Sequence, residues 1–445
     1  MSIKVKYQII FKEKDENDTV IDPNKVINTI KRDISWGTYI PYLHAIDATL
    51  NTDSAAKKFQ PTSSWMDENR IVLEFHSNQF NFHNEGINHF ISTIGGDIIR
   101  NSAIKSIVVE DFEFDQEDIQ YFKGPKLGIS NIRTQLLKGT LKGDNRPIVA
   151  FSIKPRMGMT VDEYKEIITA AAKSDIDIIE EDERLVDPTY CPFEQRVQAI
   201  QKVIKETKTK SQFSVNLSGH PWNIKEKALQ AYNAGVRIFK LDVLSTGFDV
   251  LIYLRNILDL KEIMEPVAIT VFPDIYGEVY RSLSREFILK LSRLCGADIM
   301  YAGSPHLSRM GSISKKDFER DISRLMTIHR MLRSKTQNIN STLPTITHDV
   351  HPGLLETIVY SFRILGPEHL DYAFFIGGGI SGFPAKGGVL ESCSVWMSLI
   401  KHASDVNLKQ HHSLEKIEEI KAFNLEGYEQ ELRKMEWYND LFTKR

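Results

Sequence analysis

Beyond about residue 125 this chain repeats one pattern eight times, and that pattern limits its fold more than anything else. Apolar, largely β-branched runs at 148–153, 176–179, 213–217, 236–241, 267–272, 298–302, 343–347 and 372–376 recur roughly every thirty residues, separated by segments of helical periodicity. In 161–168, for example, Tyr164, Ile167 and Ile168 share one helical face. Runs that are apolar at consecutive positions suit parallel strands covered on both faces. Eight strand–helix units predict a (β/α)8 TIM barrel. In such a barrel the loops after the strands form the face where enzymes keep their chemistry.

Residues 1–125 read as a separate α+β domain of ferredoxin-like character. Strand patterns at 5–11, 70–75 and 104–110 bracket helical patterns at 23–34 and 85–95, which predicts a small antiparallel sheet with helices on one side. The segment Lys123-Gly124-Pro125-Lys126-Leu127-Gly128 marks the boundary. The barrel is expected over 126–410. A C-terminal helical extension is expected over 411–445, where Leu414, Ile417, Ile420 and Phe423 form one stripe.

Composition narrows the function. With 42% hydrophobic and 26% charged residues the chain can bury two cores, and a net charge of −3 argues against nucleic-acid or anionic-membrane partners. No uncharged run is long enough to cross a bilayer, and the N-terminus lacks the apolar core of a signal peptide. Cys191, Cys295 and Cys393 have no metal-binding spacing, which reads as a reduced, cytoplasmic protein.

The barrel rule gathers the polar residues at one mouth. Lys154 and Arg156 follow the first run, and Asp177-Ile178-Ile179-Glu180-Glu181-Asp182-Glu183 ends the second with four consecutive carboxylates. Like charges so close call for a cation or for solvent. Asn216 and Ser218 end the third run, Lys240 and Asp242 the fourth, and Tyr301 and Ser304 the sixth, with His306 and Arg309 in the loop beyond. Thr347, His348, Asp349 and His351 end the seventh. Gly377-Gly378-Gly379 ends the eighth, where three glycines free the backbone to present N–H groups to a phosphate. The plainer alternative is that the lysines and carboxylates simply neutralise one another inside the barrel.

Several of these residues carry a resemblance. Lys123 to Ile129, Ser152-Ile153-Lys154-Pro155-Arg156-Met157-Gly158-Met159, the acidic stretch, Asn216, Asp242, Gly247-Phe248 and Ile376-Gly377-Gly378-Gly379 follow in order and spacing. In this the chain resembles the ribulose-bisphosphate carboxylase (RuBisCO) large-subunit family over nearly its whole length. The likeness implies a homodimer in which one subunit's N-terminal domain helps to cover the other's barrel mouth. It also implies magnesium, because in that family a Lys after the second strand is carbamylated by CO2 and binds the metal together with an Asp and a Glu. Here Asp182 and Glu183 match, but the Lys position is Glu180, so no carbamate forms. The Glu side chain is shorter by roughly 3–4 Å, and magnesium tolerates little error in ligand distance. Either a metal held by Glu180, Asp182 and Glu183 moves toward the second strand, or it is absent.

Other family positions differ as well. The fifth run ends Phe272-Pro273 in place of a His and an Arg, the sixth brings Tyr301 in place of a His, and Arg309 is the nearest cation to a missing loop Lys. Thr347-His348-Asp349 stands where the family has Ser-Gly-Gly, and Gly96 stands for an Asn. These departures argue against CO2 fixation. The expected chemistry is an isomerase- or enolase-type proton transfer next to the carbonyl of a small phosphorylated keto-sugar or sugar acid. Lys154 would be the base, with Lys240 as an alternative, and His348 or His306 could act as acid or base. Arg156, Arg309 or a metal would stabilise the enolate, and Gly377, Gly378 and Gly379, with Asn216 and Thr347, would hold a single phosphate. A decarboxylating lyase and a catalytically silent metabolite-binding or structural relative are the other readings.

Overall fold

The computed structural model describes residues 2–15, 17–36, 59–96, 101–273, 282–304, 315–336, 338–347, 370–381 and 387–405, together with Val350, Leu355, Ile358, Val359 and Phe362. The helical extension expected at 411–445 lies outside the described residues, as do Arg309 and His348. The chain forms two compact units. Met1–Lys123, Gly247–Asp249 and Asp274–Ser292 make the first, and Gly124–Thr246, Val250–Pro273 and Arg293–Arg445 the second.

In the first unit, β1 (Ser2–Phe11), β2 (Thr62–Trp65), β3 (Arg70–His76) and β4 (Ile104–Glu113) form one sheet in the order β2-β3-β1-β4, antiparallel throughout. Alternation in β1 sends Ile3, Val5, Tyr7 and Ile9 to the buried face. The helix Ile87–Gly95 adds Ile87, Phe90 and Ile94 at helical spacing, and the Phe90 ring meets Phe112 and Phe114 edge-on. β2 escapes the sequence pattern because all four of its residues are exposed, which leaves no apolar alternation to read.

In the second unit eight parallel strands close into a barrel. They are β5 (Ile148–Ser152), β6 (Ile178–Glu180), β7 (Gln212–Asn216), β8 (Ile238–Asp242), β9 (Ala268–Phe272), β10 (Ile299–Tyr301), β11 (Leu343–Thr347) and β12 (Ala373–Ile376), with β12 pairing back onto β5. Each of the eight expected runs supplies one strand, and nearly every strand residue is buried, as two covered faces require. Helices such as Val161–Ala172 and Phe193–Thr207 connect them. The first of these starts on a capping box in which Thr160 Oγ1 accepts the Glu163 N–H and Glu163 accepts the Thr160 N–H.

One end of the barrel is closed with apolar side chains. Leu127, Ile129, Ile132, Leu136, Leu137 and Leu141 pack with the inward residues Ile148, Ile178, Ile238, Ile299 and Leu343 near the strand starts. Two buried carboxylates tie the strands there. Asp177 takes a two-pronged contact from Arg146 at 2.7 and 3.0 Å and the Val149 N–H at 2.9 Å. Asp298 accepts the N–H groups of Leu127 at 2.7 Å and Ile269 at 3.0 Å. With that end sealed, the polar interior lies at the strand ends.

Candidate active site

Strand geometry divides the acidic stretch among four surroundings. Asp177 belongs to the sealed end, as above. Glu180, the last residue of β6, turns into the barrel, and Glu181 turns outward. Glu181 is buried against Arg196, which donates from Nε at 2.7 Å, while the Tyr164 hydroxyl and the Asn216 N–H donate at 2.9 and 2.8 Å. Arg196, fully buried, also donates to the Val186 carbonyl at 2.8 Å. Sequence reasoning overlooked Arg196, although it stood as one charge among Phe193, Val197, Ile200 and Val203 on the apolar face of its helix. A charge in that position signals a buried partner.

Inside the barrel Lys240 organises the next group. Its side chain is fully buried, and Nζ donates to Glu180 Oε1 at 2.8 Å, to the Glu181 carbonyl at 3.0 Å and to Glu183 Oε2 at 3.3 Å. The Tyr301 oxygen lies 3.3 Å away, and the Tyr301 hydroxyl itself donates to Glu180 Oε1 in a short hydrogen bond. Ser214 donates to the other Glu180 oxygen at 3.0 Å. The Lys240 ammonium stands 4.8 Å from the Tyr301 ring centre and 5.7 Å from that of Phe272. Burial works to strip Lys240 of its proton, but the surrounding Glu180, Tyr301, Glu183 and Asp182 outweigh it and hold the ammonium well above its ordinary range. The geometry makes Lys240 the cation of this buried group, away from the solvent-open mouth where Lys154 lies. Burial likewise pushes Tyr301 well up, with Glu180 adding to it, so its hydroxyl remains a donor.

At the mouth, Lys154 pairs with Asp182 in a short contact, and Arg156 approaches the same carboxylate oxygen at 3.9 Å. Lys154 is one-quarter exposed and Arg156 half exposed, whereas Asp182 is buried. Burial would raise Asp182, yet Lys154 and Lys240 hold it below the ordinary carboxylate range. Glu183 is lowered in the same way, chiefly by Lys240. Lys154 also lies over Gly377, where a β-carbon would come within 2.8 Å of its Cε. The ends of the first, second and eighth barrel strands thus meet at one point.

The other residues expected to contact a ligand have the following surroundings. Asn216 is fully buried and donates to the carbonyls of Glu183 at 2.9 Å and of Asp182 and Leu185 at 3.3 Å, while its oxygen accepts the Ser218 N–H. It holds the loop after β6. Asp242 accepts the N–H groups of Leu244 and Ser245 at the start of the next helical turn. Thr347 is buried at the end of β11, its N–H on the Gly303 carbonyl at 3.2 Å. None of Gly377, Gly378 and Gly379 adopts a positive φ. Glycine is required at 379 for space instead: a β-carbon there would meet the Val350 carbonyl oxygen at 2.8 Å and the Trp396 ring at 2.9 Å, whereas at 377 it would meet the movable end of Lys154. Gly378 alone of the three faces open space.

The implied metal shell does not take shape. Among the described residues no group of three or more His, Cys, Asp or Glu side chains is placed to hold a metal ion. Both Glu180 oxygens are engaged by Lys240, Tyr301 and Ser214, and both Asp182 oxygens by Lys154 and the Arg184 N–H. Lys240 sits between Glu180 and Glu183, where a cation shared by them would sit. Magnesium, with its short oxygen distances, does not fit this donor set.

Residues 129–419, well over half of the chain, match the family described as ribulose bisphosphate carboxylase large chain, catalytic domain. The chain belongs to this RuBisCO family. The ribulose bisphosphate carboxylase of Pyrococcus furiosus is 26% identical over 307 residues, 68% of each chain. The 2,3-diketo-5-methylthiopentyl-1-phosphate enolase of Geobacillus kaustophilus is 30% identical over 283 residues, 62% of each. The chain thus spans about two thirds of the length of the curated relatives it matches. The dimeric archaeal RuBisCO of Hyperthermus butylicus superposes with a TM-score of 0.71 at 20% identity, over 99% of this chain and 96% of that one. At this identity the superposition speaks for the fold. Three of the residues that depart from the resemblance, Glu180, Phe272 and Tyr301, stand around Lys240.

Proposed function

We propose that this RuBisCO-family protein is an enolase-type enzyme that moves a proton next to the carbonyl of a small phosphorylated keto-sugar or sugar acid, without fixing CO2. The observation that supports this reading is the Lys154–Asp182 pair, partly open to solvent and lying over Gly377 beside the open space at Gly378. Lys154 Nζ gives up a proton to solvent on its open side and, as the amine, takes the proton on carbon from the substrate, while the ionised Asp182, to which it is hydrogen-bonded, keeps it in position. Arg156, and Arg309 from the loop after β10, balance the charge that develops on the enolate oxygen, with His348 as a second proton carrier. The single phosphate rests at the turn Gly377-Gly378-Gly379 beside Thr347. The enolase of Geobacillus kaustophilus gives the reading its substrate class. A homodimer belongs to the same proposal, in line with the dimeric relative.

The test is incorporation of solvent deuterium next to the carbonyl, followed by mass spectrometry with 2,3-diketo-5-methylthiopentyl-1-phosphate and a set of ketose monophosphates. Exchange with at least one substrate is expected, and Lys154→Met should slow it by about 10²–10⁴-fold. A folded protein that binds a monophosphate yet exchanges no proton on any of them would overturn the proposal in favour of a silent binding protein.

A further inference from the structure

The carboxylates at the end of β6 surround a cation that is part of the chain. Lys240 Nζ has Glu180 Oε1 at 2.8 Å, the Glu181 carbonyl at 3.0 Å, and Glu183 Oε2 and the Tyr301 oxygen at 3.3 Å. Four oxygens therefore face one ammonium, at distances proper to N–H···O bonds and too long for a small divalent ion. The group is fixed in place. Lys240 has no exposed surface, Phe272 and Tyr301 stand beside its ammonium, and Phe375 packs against Tyr301 at 5.1 Å between ring centres. A divalent ion seated on Glu180 and Glu183 would have to share their oxygens with Lys240 at close range. It would also have to displace the Tyr301 and Ser214 hydroxyls, which hold the Glu180 oxygens.

We propose that Lys240 is the resident cation of this site: its ammonium fills the place between Glu180 and Glu183, so the wild-type protein needs no divalent metal there, and removing the ammonium opens a divalent-metal site. The inference concerns a positioning residue, since Lys240, buried beneath Glu183, acts on a substrate only through the carboxylates it orders. It also gives the unusual residues of the chain one common role. Glu180 supplies the second carboxylate, Tyr301 the phenol that bridges it to the ammonium, and Phe272 the apolar wall. None of the three carries out this role without Lys240.

The experiment is a Mn(II) titration followed by electron paramagnetic resonance on the full chain, without substrate, so its outcome does not depend on whether the protein enolises anything. Wild type should bind no Mn(II) that is sensitive to Glu183→Gln. Lys240→Met should bind Mn(II) at least tenfold more tightly than wild type, and Glu183→Gln added to that variant should abolish the gain. Loss of a buried partner can unfold a protein. If Lys240→Met is unfolded alone, recovery of its circular dichroism on refolding with Mn(II) supports the proposal equally. Wild-type Mn(II) binding that disappears in Glu183→Gln, or a Lys240→Met protein indifferent to Mn(II) in both binding and refolding, would overturn it.

Discussion

Gly378 and Gly379 are neighbours with opposite constraints. A side chain at 379 has nowhere to go, because the Val350 carbonyl and the fully buried Trp396 ring, whose Nε1 donates to the Gly379 carbonyl at 3.0 Å, leave no room for a β-carbon. Gly379→Ala is expected to lower stability by about 1–3 kcal/mol, read as a shifted urea midpoint. Gly378 is exposed and has nothing within 4 Å of its would-be β-carbon. Gly378→Leu should therefore leave stability within about 0.5 kcal/mol while weakening the binding of a ketose monophosphate in calorimetry. Unchanged affinity in a folded Gly378→Leu protein would remove the phosphate from this turn. The sequence pointed to the triple glycine but for a partly wrong reason. It suggested freedom of φ, and the need at 379 is for space, which depends on Val350 and on Trp396, a residue further along the chain.

Among the elements, the barrel strands were legible because burial on both faces writes itself into consecutive apolar positions. The acidic loop after β6 was legible only as a cluster, since the direction of each carboxylate depends on partners that the local sequence does not reveal. Glu181 shows this best. Alternation along β6 sends it outward, where Arg196 on the helix Phe193–Thr207 and Tyr164 on the helix Val161–Ala172 receive it. Those contacts join one strand end to two helices, and the Asn216 N–H ties in β7. Arg196→Ala leaves Glu181 buried without its cation and should destabilise the protein by about 3–5 kcal/mol, measured by thermal or urea unfolding. Adding Glu181→Gln to that variant should restore part of the loss, because the unpaired charge goes with it. If Arg196→Ala costs less than about 1 kcal/mol, the pair does not hold these elements together. Lys240 differed in kind: a lysine within Ile238–Asp242 stood out in the sequence, but its three carboxylate and phenol partners come from β6, the loop beyond it and β10.

For the barrel as a whole, closure depends on groups that no functional motif marks, and Asp298 is the one whose influence can be followed with pH. It stands just before β10, accepts N–H groups from Leu127 and from Ile269 in β9, and is completely buried. Burial pushes its carboxyl up to about 6, and the two backbone donors recover only part of that cost. The fold therefore favours the protonated acid more than the unfolded chain does. The contribution of Asp298 to stability is full below its ordinary pKa near 3.8 and is lost as pH rises through about 6. A shift of about two units corresponds to roughly 3 kcal/mol between those limits. Many carboxylates titrate in the same window, and Asp182 and Glu183, which are lowered, contribute with the opposite sign. The difference between wild type and Asp298→Asn isolates the one group, since Asn keeps an acceptor oxygen and cannot ionise. Urea unfolding of both proteins from pH 4 to 8 should show wild type losing ground to Asp298→Asn up to about pH 6 and a constant difference above pH 7. A difference that stays flat from pH 4, or that moves in favour of wild type as pH rises, would mean that Asp298 is ionised in the closed barrel throughout and that its two backbone hydrogen bonds, not its burial, set its charge.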